Sequence, residues 1–506
     1  MEFVSAGEVV VEIGSPRNSL RRSNEDKGRD GRPSRAMIGR SNEPALSASH
    51  GLLLVAVGLS SLMSSMQGSA LNAILPFVAR SLEVDLPTIQ WVVLVYLIVS
   101  SGLLPAFGRL GDMMGQRRLF LTGFAVFIIG SVLSSLAPSV LWLIAARTVQ
   151  AVGSGMITTS GTPLITKTLP ATHRGRGLSA QIFMVYCGLS AGPGVGGVLA
   201  DTLGWRWVFL VNVPVGLLAA AIALVAIPND EGAPSTQGFD VGGALTFMAG
   251  LAAFFLLLGG GRRQDWPSGG SEALLGITLV SATAFVILEL SRHEPMLDLR
   301  LFKSRFFSAA TSSAMINYTG YSATIFLVPF YLVNGLGYDA TSAGTLITAM
   351  PVTMMFFAPF SGWLSDKFGP RLPTSVGMGL LSGGIYLMSR LGSAPSVMDI
   401  VPRLMLAGMG LGLFSSANGS AILGSVPREV QGVANGVVSI ARQLGMMLGV
   451  AIATAVFSAR YPLYTGLGEA TATSAAARDA FFLAAAIALL GVFTSLVRGK
   501  PGGDHS

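Results

Sequence analysis

The sequence predicts an all-α integral membrane protein with fourteen transmembrane helices, arranged as two six-helix bundles and two extra central spans. Three observations predict this fold: apolar runs of membrane-spanning length recur along the chain, basic residues collect in alternate connecting segments, and motif residues repeat at a fixed distance. Composition agrees, because 51% of the 506 residues are hydrophobic and only 12% are charged, whereas a soluble protein carries about 25% charged residues.

The predicted spans are apolar runs close to the roughly 20 residues that a helix needs to cross about 30 Å of hydrocarbon. They cover residues 51–75, 90–107, 119–136, 140–160, 178–200, 207–227, 241–259, 273–290, 307–332, 342–362, 374–391, 400–422, 434–457 and 480–497.

These spans divide the chain into five segments. We expect a disordered basic tail at 1–50, a six-helix bundle at 51–227, a linker with two extra transmembrane helices at 228–305, a second six-helix bundle at 306–497 and a short tail at 498–506. The first segment is rich in arginine and lacks the apolar core and cleavage site of a signal peptide.

The basic residues predict the orientation in the membrane. With both termini in the cytoplasm, 23 lysines and arginines fall on the cytoplasmic side, seven on the opposite side and three within spans. This asymmetry favours a multi-pass protein of the inner or plasma membrane with both tails inside, where anionic lipid attracts them. Because the basic residues form no single patch, nucleic-acid binding is not expected.

Several function classes are excluded by what the sequence lacks. The single cysteine, Cys187, excludes a disulfide framework, and no Cys/His cluster indicates a metal site. No nucleotide-binding loop of the G-x-x-x-x-G-K-[ST] kind occurs, so ATP-driven pumping by this chain is not expected. We expect neither enzymatic chemistry nor a cofactor.

A loop after the second predicted span repeats after the tenth. Gly-Arg-Leu-Gly-Asp-Met-Met-Gly-Gln-Arg, residues 108–117, matches Gly-Trp-Leu-Ser-Asp-Lys-Phe-Gly-Pro-Arg, residues 362–371. Eight predicted spans, an even number, separate the two loops, so both copies are expected on the same side of the membrane. This arrangement is the parallel repeat of a two-bundle carrier, with a pseudo-two-fold axis along the membrane normal.

At these residues the chain resembles the major facilitator superfamily and, within it, the fourteen-span drug:proton antiporters. The loop at 108–118 is similar to the superfamily signature G-x-L-x-D-x-x-G-x-R-R/K, and the resemblance implies that this loop latches the outward-open state. The alternative is a basic turn that only fixes topology. The expected latch residues are Gly108, Asp112, Gly115, Arg117, Arg118, Gly362, Asp366, Gly369 and Arg371.

Two further motifs support the resemblance. Arg147 and Gln150 in span 4 match R-x-x-Q, where the arginine has either a role in coupling or substrate binding, or a structural role on backbone carbonyls or Gln150. The motif associated with antiporters lies in span 5, where close helix packing is the alternative explanation. Its residues are Gly188, Gly192, Pro193, Gly196 and Gly197.

Span 1 departs from the family pattern. Asn72 matches, but Gln67 occupies a position that is commonly acidic, and a glutamine cannot bind and release a proton in the physiological range. The deep charges are Arg147, Arg403 and Arg442, all positive, and no Asp, Glu or His lies near the middle of a predicted span. Proton coupling would therefore depend on a carboxylate at a span end, such as Asp112, or on a proton carried by the substrate. Because no deep carboxylate is available to a cation, neutral or anionic substrates are favoured over cations.

The resemblance implies a secondary active transporter that exports drug-like or endogenous small organic molecules by proton antiport with alternating access. A uniporter or an anion/metabolite exchanger without proton coupling is one alternative, and a non-transporting membrane receptor or scaffold is another. The expected partners are a small-molecule substrate, protons and membrane lipid, and no obligate protein partner is evident.

Overall fold

A computed structural model of the chain describes residues 48–230, 241–259, 270–291, 299–427 apart from 393, and 430–496. Within these ranges every regular element is helical. The predicted tails fall almost wholly outside the described residues, as do three stretches of the predicted linker. The all-helical class expected from the sequence is confirmed for the part of the chain that the structure describes.

The longer helices of the described ranges are numbered here from α1 to α14. They are α1 Ala48–Ser81, α2 Trp91–Met114, α3 Gln116–Ser135, α4 Val140–Thr168, α5 Ala171–Thr202, α6 Asn212–Ala226, α7 Val241–Gly259, α8 Gly270–Ser291, α9 Arg305–Phe330, α10 Ala340–Phe368, α11 Arg371–Ser389, α12 Val397–Gly424, α13 Gln431–Tyr464 and α14 Glu469–Leu496. Short helical segments at Leu86–Ile89 and Trp207–Leu210 precede α2 and α6.

A helix lies over each predicted span, but the helices differ in how well their composition suits lipid. Eleven helical segments of the described chain are long and apolar enough to cross a membrane; α7, α9 and α11 do not meet that criterion. In α9 the reason is composition, since its many hydroxyl and amide side chains lower its hydropathy; 18 of its 26 residues are buried, so these side chains largely face protein. The number of crossings, fourteen, stays a prediction.

Helix ends extend beyond the predicted spans. α5 begins at Ala171 and α14 at Glu469, whereas the apolar runs start at 178 and 480. A hydropathy pattern detects only the part of a helix that lies in hydrocarbon, and polar turns that continue the helix into the interface escape it.

The helices of α1–α6 and of α9–α14 pack in similar ways. α1 packs along α5 and against α6, and α3 packs along α4; correspondingly, α9 packs along α13 and against α14, and α11 packs along α12. α7 and α8 pack against each other, and α7 also contacts α2 and α13. The predicted parallel repeat is consistent with this pattern and stays a prediction.

Helix directions place Asp112 and Asp366 at the same end of the bundle. α5 and α10 are antiparallel, because Asp201 in the last turn of α5 contacts Thr341 in the first turn of α10. An ion pair of 3.7 Å between Lys167 and Asp112 places the α2–α3 loop near the beginning of α5. Asp366, in the last turn of α10, therefore lies at that end too. We call the two ends the Asp112 end and the Asp201 end.

Candidate functional site

A cavity of about 1260 Å³ lies between the two halves. Its walls come from α1, α2, α4 and α5 of the first half and from α9, α10, α12 and α13 of the second. On α5 the lining residues run from Ser179 to Leu189, and on α12 from Leu411 to Ser420, so the cavity lies towards the Asp112 end of both helices.

The cavity wall is mainly apolar, with hydroxyl groups and two cations. Eight serines line it, and so do Tyr96, Tyr186, Tyr318 and Tyr321. Arg147 and Arg442 are the arginines of the wall, and none of the described lining residues is an acid or a histidine. A wall of this composition offers hydrogen bonds, aromatic faces and positive charge to a solute.

Arg147 is buried at the cavity wall, with only 2% of its surface exposed. Its Nε donates to the carbonyl oxygen of Val92 at 3.3 Å, and its Nη1 donates to Gln150 Oε1. The guanidinium carbon lies 4.2 Å from the centre of the Tyr96 ring. Gln150 in turn donates to Ser131 at 2.8 Å. The structure thus joins Arg147 to Gln150, and it contains features of both roles considered for this arginine: structural anchoring and a place in the cavity wall.

Arg442 reaches the cavity from the second half. It is half-buried, its Nη2 donates to Ser439 Oγ at 3.0 Å, and its guanidinium carbon lies 5.9 Å from the centre of the Tyr318 ring. These partners are neutral. Arg442 is therefore a cation whose described contacts provide no opposite charge.

Arg403, the third deep arginine of the sequence, does not line the cavity. It pairs with Asp399 one turn earlier on α12, with 3.7 Å between Arg403 Nη1 and Asp399 Oδ1. The structure thus gives this residue a local partner near the start of α12, and its expected role in coupling or substrate binding stays a prediction.

Gln67 and Asn72 point in different directions although both lie on α1. Asn72 lines the cavity, whereas Gln67 is 1% exposed and accepts a hydrogen bond from Asn212 Nδ2 inside the first half. Five residues along an α-helix correspond to a rotation of about 140°, and in this structure Asn72 faces the cavity while Gln67 faces Asn212 at the start of α6.

The glycines of the span 5 motif allow close packing on two sides of α5. A Cβ on Gly188, Gly192 or Gly196 would crowd atoms of α1. On the other side, a Cβ on Gly197 would collide with the carbonyl oxygen of Ala340.

The partner helix α10 contributes a glycine of its own. A Cβ on Gly344 would collide with the carbonyl oxygen of Pro193. We call this close contact of α5 with α10 the seam; it joins the two halves. Sequence reasoning missed Gly344, which matches no motif.

Two polar contacts join the halves at the Asp201 end. Asp201 accepts hydrogen bonds from the Ala340 amide at 3.2 Å, the Thr341 amide at 2.7 Å and the Thr341 hydroxyl at 2.6 Å. Arg80 Nη2 donates to Asn334 Oδ1 at 3.2 Å. These pairs could not be predicted from the sequence beyond their positions at helix ends, because each is separated by more than 100 residues.

The expected latch loop contacts its own half. Asp112 accepts a hydrogen bond from Gln116 Nε2 at 3.1 Å and pairs with Lys167. Gly115 has φ +92°, a value that favours glycine. Arg117 donates to the carbonyl oxygen of Leu224 at 2.8 Å.

Asp230, which the sequence did not single out, also binds this loop. Its carboxylate accepts the backbone amides of Gln116 at 2.6 Å and Arg117 at 3.1 Å, at the start of α3. Each of these latch contacts lies within the first half or in the connection that follows α6.

The second copy of the loop is more open. Gly369 has φ +78°, as Gly115 does in the first copy. Asp366 and Arg371 are exposed, as is Arg118 of the first copy. A Cβ on Gly108 would meet no atom within 4 Å, and one on Gly362 would meet only Ser416 at 3.6 Å, so packing in this structure does not require glycine at either position.

Residues 57–450 and 310–505 match the family model described as Major Facilitator Superfamily. The riboflavin transporter RibZ of Clostridioides difficile (strain 630) is 29% identical over 447 residues, which cover 88% of this chain and 96% of that protein. The tetracenomycin C resistance and export protein of Streptomyces glaucescens is 30% identical, covering 81% of this chain and 76% of its own.

Other relatives agree with this grouping. The multidrug transporter protein MdtP of Bacillus subtilis (strain 168) is 28% identical over 412 residues, covering 81% of this chain and 75% of that protein. Among solved structures, a bacterial homologue of the human lysosomal transporter Spinster, in an inward-facing and unoccupied conformation, has a TM-score of 0.66 at 15% identity. It covers 90% of this chain and 98% of its own, and at this identity the likeness shows the fold alone.

Proposed function

Because this chain belongs to the major facilitator superfamily, we propose that it is a transporter that exports small organic molecules across the cell membrane by proton antiport. The observation that carries the proposal is the cavity, which both halves line and which the contacts of the Asp201 end close on one side. Alternating access requires such a cavity between two bodies that move against each other. The relatives described as exporting or multidrug transporters support the direction.

The distribution of charge supports an orientation in which the Asp112 end faces the cytoplasm. The connections at this end carry Arg117, Arg118, Lys167 and Arg371, as expected for cytoplasmic loops. The cavity then opens towards the cytoplasm, and the structure is the inward-facing state that loads an exported solute. In this state the contacts described for Asp112, Gln116 and Arg117 lie within the first half or in the connection that follows α6, as expected if the loop latches the outward-facing state.

In the proposed cycle the two halves separate and meet again at the seam and at the Asp201 contact. Opening towards the outside requires α5 and α10 to separate at the Asp201 end, so the amides of Ala340 and Thr341 have to leave the Asp201 carboxylate. Small residues at the seam, including Gly197 and Gly344, allow the helices to meet again without side-chain rearrangement.

Proton coupling is assigned to carboxylates at the ends of helices. No described carboxylate lines the cavity, whereas Asp112 and Asp201 each hold contacts that protonation would weaken, because a neutral carboxyl is a poorer hydrogen-bond acceptor and ion-pair partner. Asp201 bridges the halves in this state, and Asp112 is proposed to do so in the opposite one.

Transport assays test the proposal directly. Proteoliposomes with an imposed pH gradient, and cells expressing the protein, would be screened with neutral, anionic and cationic compounds. We expect expelled compounds to move faster when the outside is acidic, and Asp112→Asn to reduce this response. Transport that is independent of the pH gradient would favour the uniporter or exchanger. If wild type and Asp112→Asn accumulate every compound equally, the receptor or scaffold is favoured.

A further inference from the structure

We propose that the cavity binds aromatic anions and that the Arg442 guanidinium is their charge partner. This inference rests on the proposed function, because it names the class of solute for the same cavity. It is carried by the surroundings of Arg442, by the second arginine of the wall and by the tyrosines that line the same cavity.

Arg442 provides a positive charge without a described counter-ion. Its guanidinium donates to Ser439, a neutral hydroxyl, and none of the ion pairs among the described residues includes it. A cation removed from bulk water is costly unless an anion and hydrogen bonds compensate it. A carboxylate or sulfonate on the solute would supply both, and the planar guanidinium can bind either in a bidentate way.

Arg147 adds positive potential from the opposite half but has fewer free donors. Its Nε and Nη1 already serve Val92 and Gln150, and its face lies on Tyr96. We therefore assign Arg147 to the electrostatic field of the cavity and Arg442 to direct contact. Two cations and no described carboxylate in one wall also decide against a cationic solute, because repulsion from both arginines opposes the attraction of aromatic faces for a cation.

The aromatic part of the solute follows from the rest of the wall. Four of the nine tyrosines of the chain line this cavity. The Tyr318 and Tyr321 rings lie 6.2 Å apart in a T-shaped arrangement, and Tyr318 is also the ring beside Arg442. A planar ring can pack against these two tyrosines while its acidic group reaches the guanidinium.

Three probes with the same ring and different charges test the inference. Purified protein in nanodiscs of zwitterionic lipid is titrated with 2-naphthoate, 2-naphthamide and 2-naphthylmethylammonium. We expect naphthoate to bind about 10- to 100-fold more tightly than the other two, because charge-assisted hydrogen bonds are stronger than neutral ones. Arg442→Gln should remove this preference while leaving the affinity for naphthamide unchanged, and Arg442→Lys should keep part of it.

Arg403→Gln is the matched control, since it removes an arginine that lies outside the cavity and pairs with Asp399. Unaltered thermal unfolding would show that each variant is folded, and if Arg442→Gln does not fold, the probe series with wild type and Arg442→Lys decides. Equal affinities for naphthoate and naphthamide, tighter binding of the ammonium probe, no binding of naphthoate, or an unchanged preference in Arg442→Gln would each overturn the inference.

The headgroup of an anionic lipid is the other source of the same chemistry. Nanodiscs that contain phosphatidylglycerol distinguish the two: we expect the naphthoate affinity to stay the same, and its loss would identify the headgroup as the occupant and overturn the proposal. Binding is measured here without a gradient. If the protein binds naphthoate through Arg442 but transports no compound, only the proposed transport is refuted. If it transports the three probes equally whatever their charge, only this inference is refuted.

Discussion

Asp201 accepts both the amide and the hydroxyl of Thr341, at 2.7 and 2.6 Å. One carboxylate at the end of α5 thereby caps the beginning of α10, a helix of the other half, where Asp339 already serves as the N-cap of its own helix. A helix N-terminus attracts negative charge through its free amides and its dipole. The halves are thus held at this end by an interaction that the proposed outward opening would have to break.

Asp201→Asn should favour the outward-open state. An amide keeps a hydrogen-bonding oxygen but loses the charge, so we expect the contact to weaken by about 1 kcal/mol, or roughly fivefold in the equilibrium between states. A cysteine introduced at Ile325 in the cavity wall, in a Cys187→Ser background, reports the change through its reaction with an impermeant maleimide from outside.

Asp85→Asn is the control for this prediction. Asp85 caps a short helix within the first half by accepting the Thr88 amide at 3.0 Å, and it does not bridge the halves. Its replacement should leave the labelling rate unchanged. Equal labelling in wild type and Asp201→Asn would show that this contact does not hold the Asp201 end closed.

Gly197→Ala should impair transport through the seam. The added methyl group would collide with the carbonyl oxygen of Ala340, a backbone atom that cannot rotate away. Overpacking of this kind costs about 1–3 kcal/mol, so we expect the outward-open state to gain population and the transport rate to fall about tenfold or more.

Gly194→Ala is the control, because it makes the same glycine-to-alanine change on α5 at a position with room for the methyl group. A Cβ at Gly194 would lie 3.6 Å from Thr348 Oγ1, an ordinary contact distance. This variant should transport at nearly the wild-type rate, and Gly344→Ala should behave like Gly197→Ala. A wild-type transport rate for both Gly197→Ala and Gly344→Ala would contradict the proposal that the transport cycle includes a state in which the seam is closed.

Asp230→Asn should destabilise the α2–α3 loop. The carboxylate accepts two amides at the start of α3, and loss of such a helix cap costs about 0.5–2 kcal/mol. Thermal unfolding of the purified protein would show a lower Tm. Asp366→Asn, in the exposed second copy of the loop, should leave the Tm unchanged, and an equal decrease for both variants would refute the capping role.

Asn72→Asp should increase the affinity of the cavity for cations, and Gln67→Asp should not. Both variants introduce a carboxylate into α1, but only Asn72 lines the cavity, whereas Gln67 faces Asn212. We expect at least a tenfold gain in affinity for a permanent aromatic cation in Asn72→Asp, about 1.4 kcal/mol. A gain in Gln67→Asp of the same size would mean that Gln67 reaches the solute.

The contrast between these two positions shows what the sequence can and cannot predict. Apolar runs predict helices well, because the hydrocarbon requirement acts on every residue of a span. The direction of a single side chain depends on the rotation of its helix against its neighbours. For this reason Gln67 and Asn72 could both be expected at a cavity, although only Asn72 lines it.

Arg147 and Arg403 illustrate the same limit. They lie near the starts of α4 and α12, and both are deep arginines by sequence. A carboxylate one turn away, Asp399, pairs with Arg403, whereas Arg147 packs on Tyr96 of another helix. The local partner of Arg403 is visible in the sequence, but the ring beside Arg147 lies 51 residues away and is placed there only by the packing of α2 on α4.

The position of α7 has a consequence for the motion itself. Met248 of α7 lies against Gly102 of α2, and Phe247 packs in a cluster with Phe306 of α9 and Val437 of α13. Because α7 contacts both halves, it cannot move as a rigid body with both of them when they move relative to each other. In the proposed cycle α7 would have to slide over one of these surfaces, so the packing of α7 on the two halves would contribute to the turnover rate.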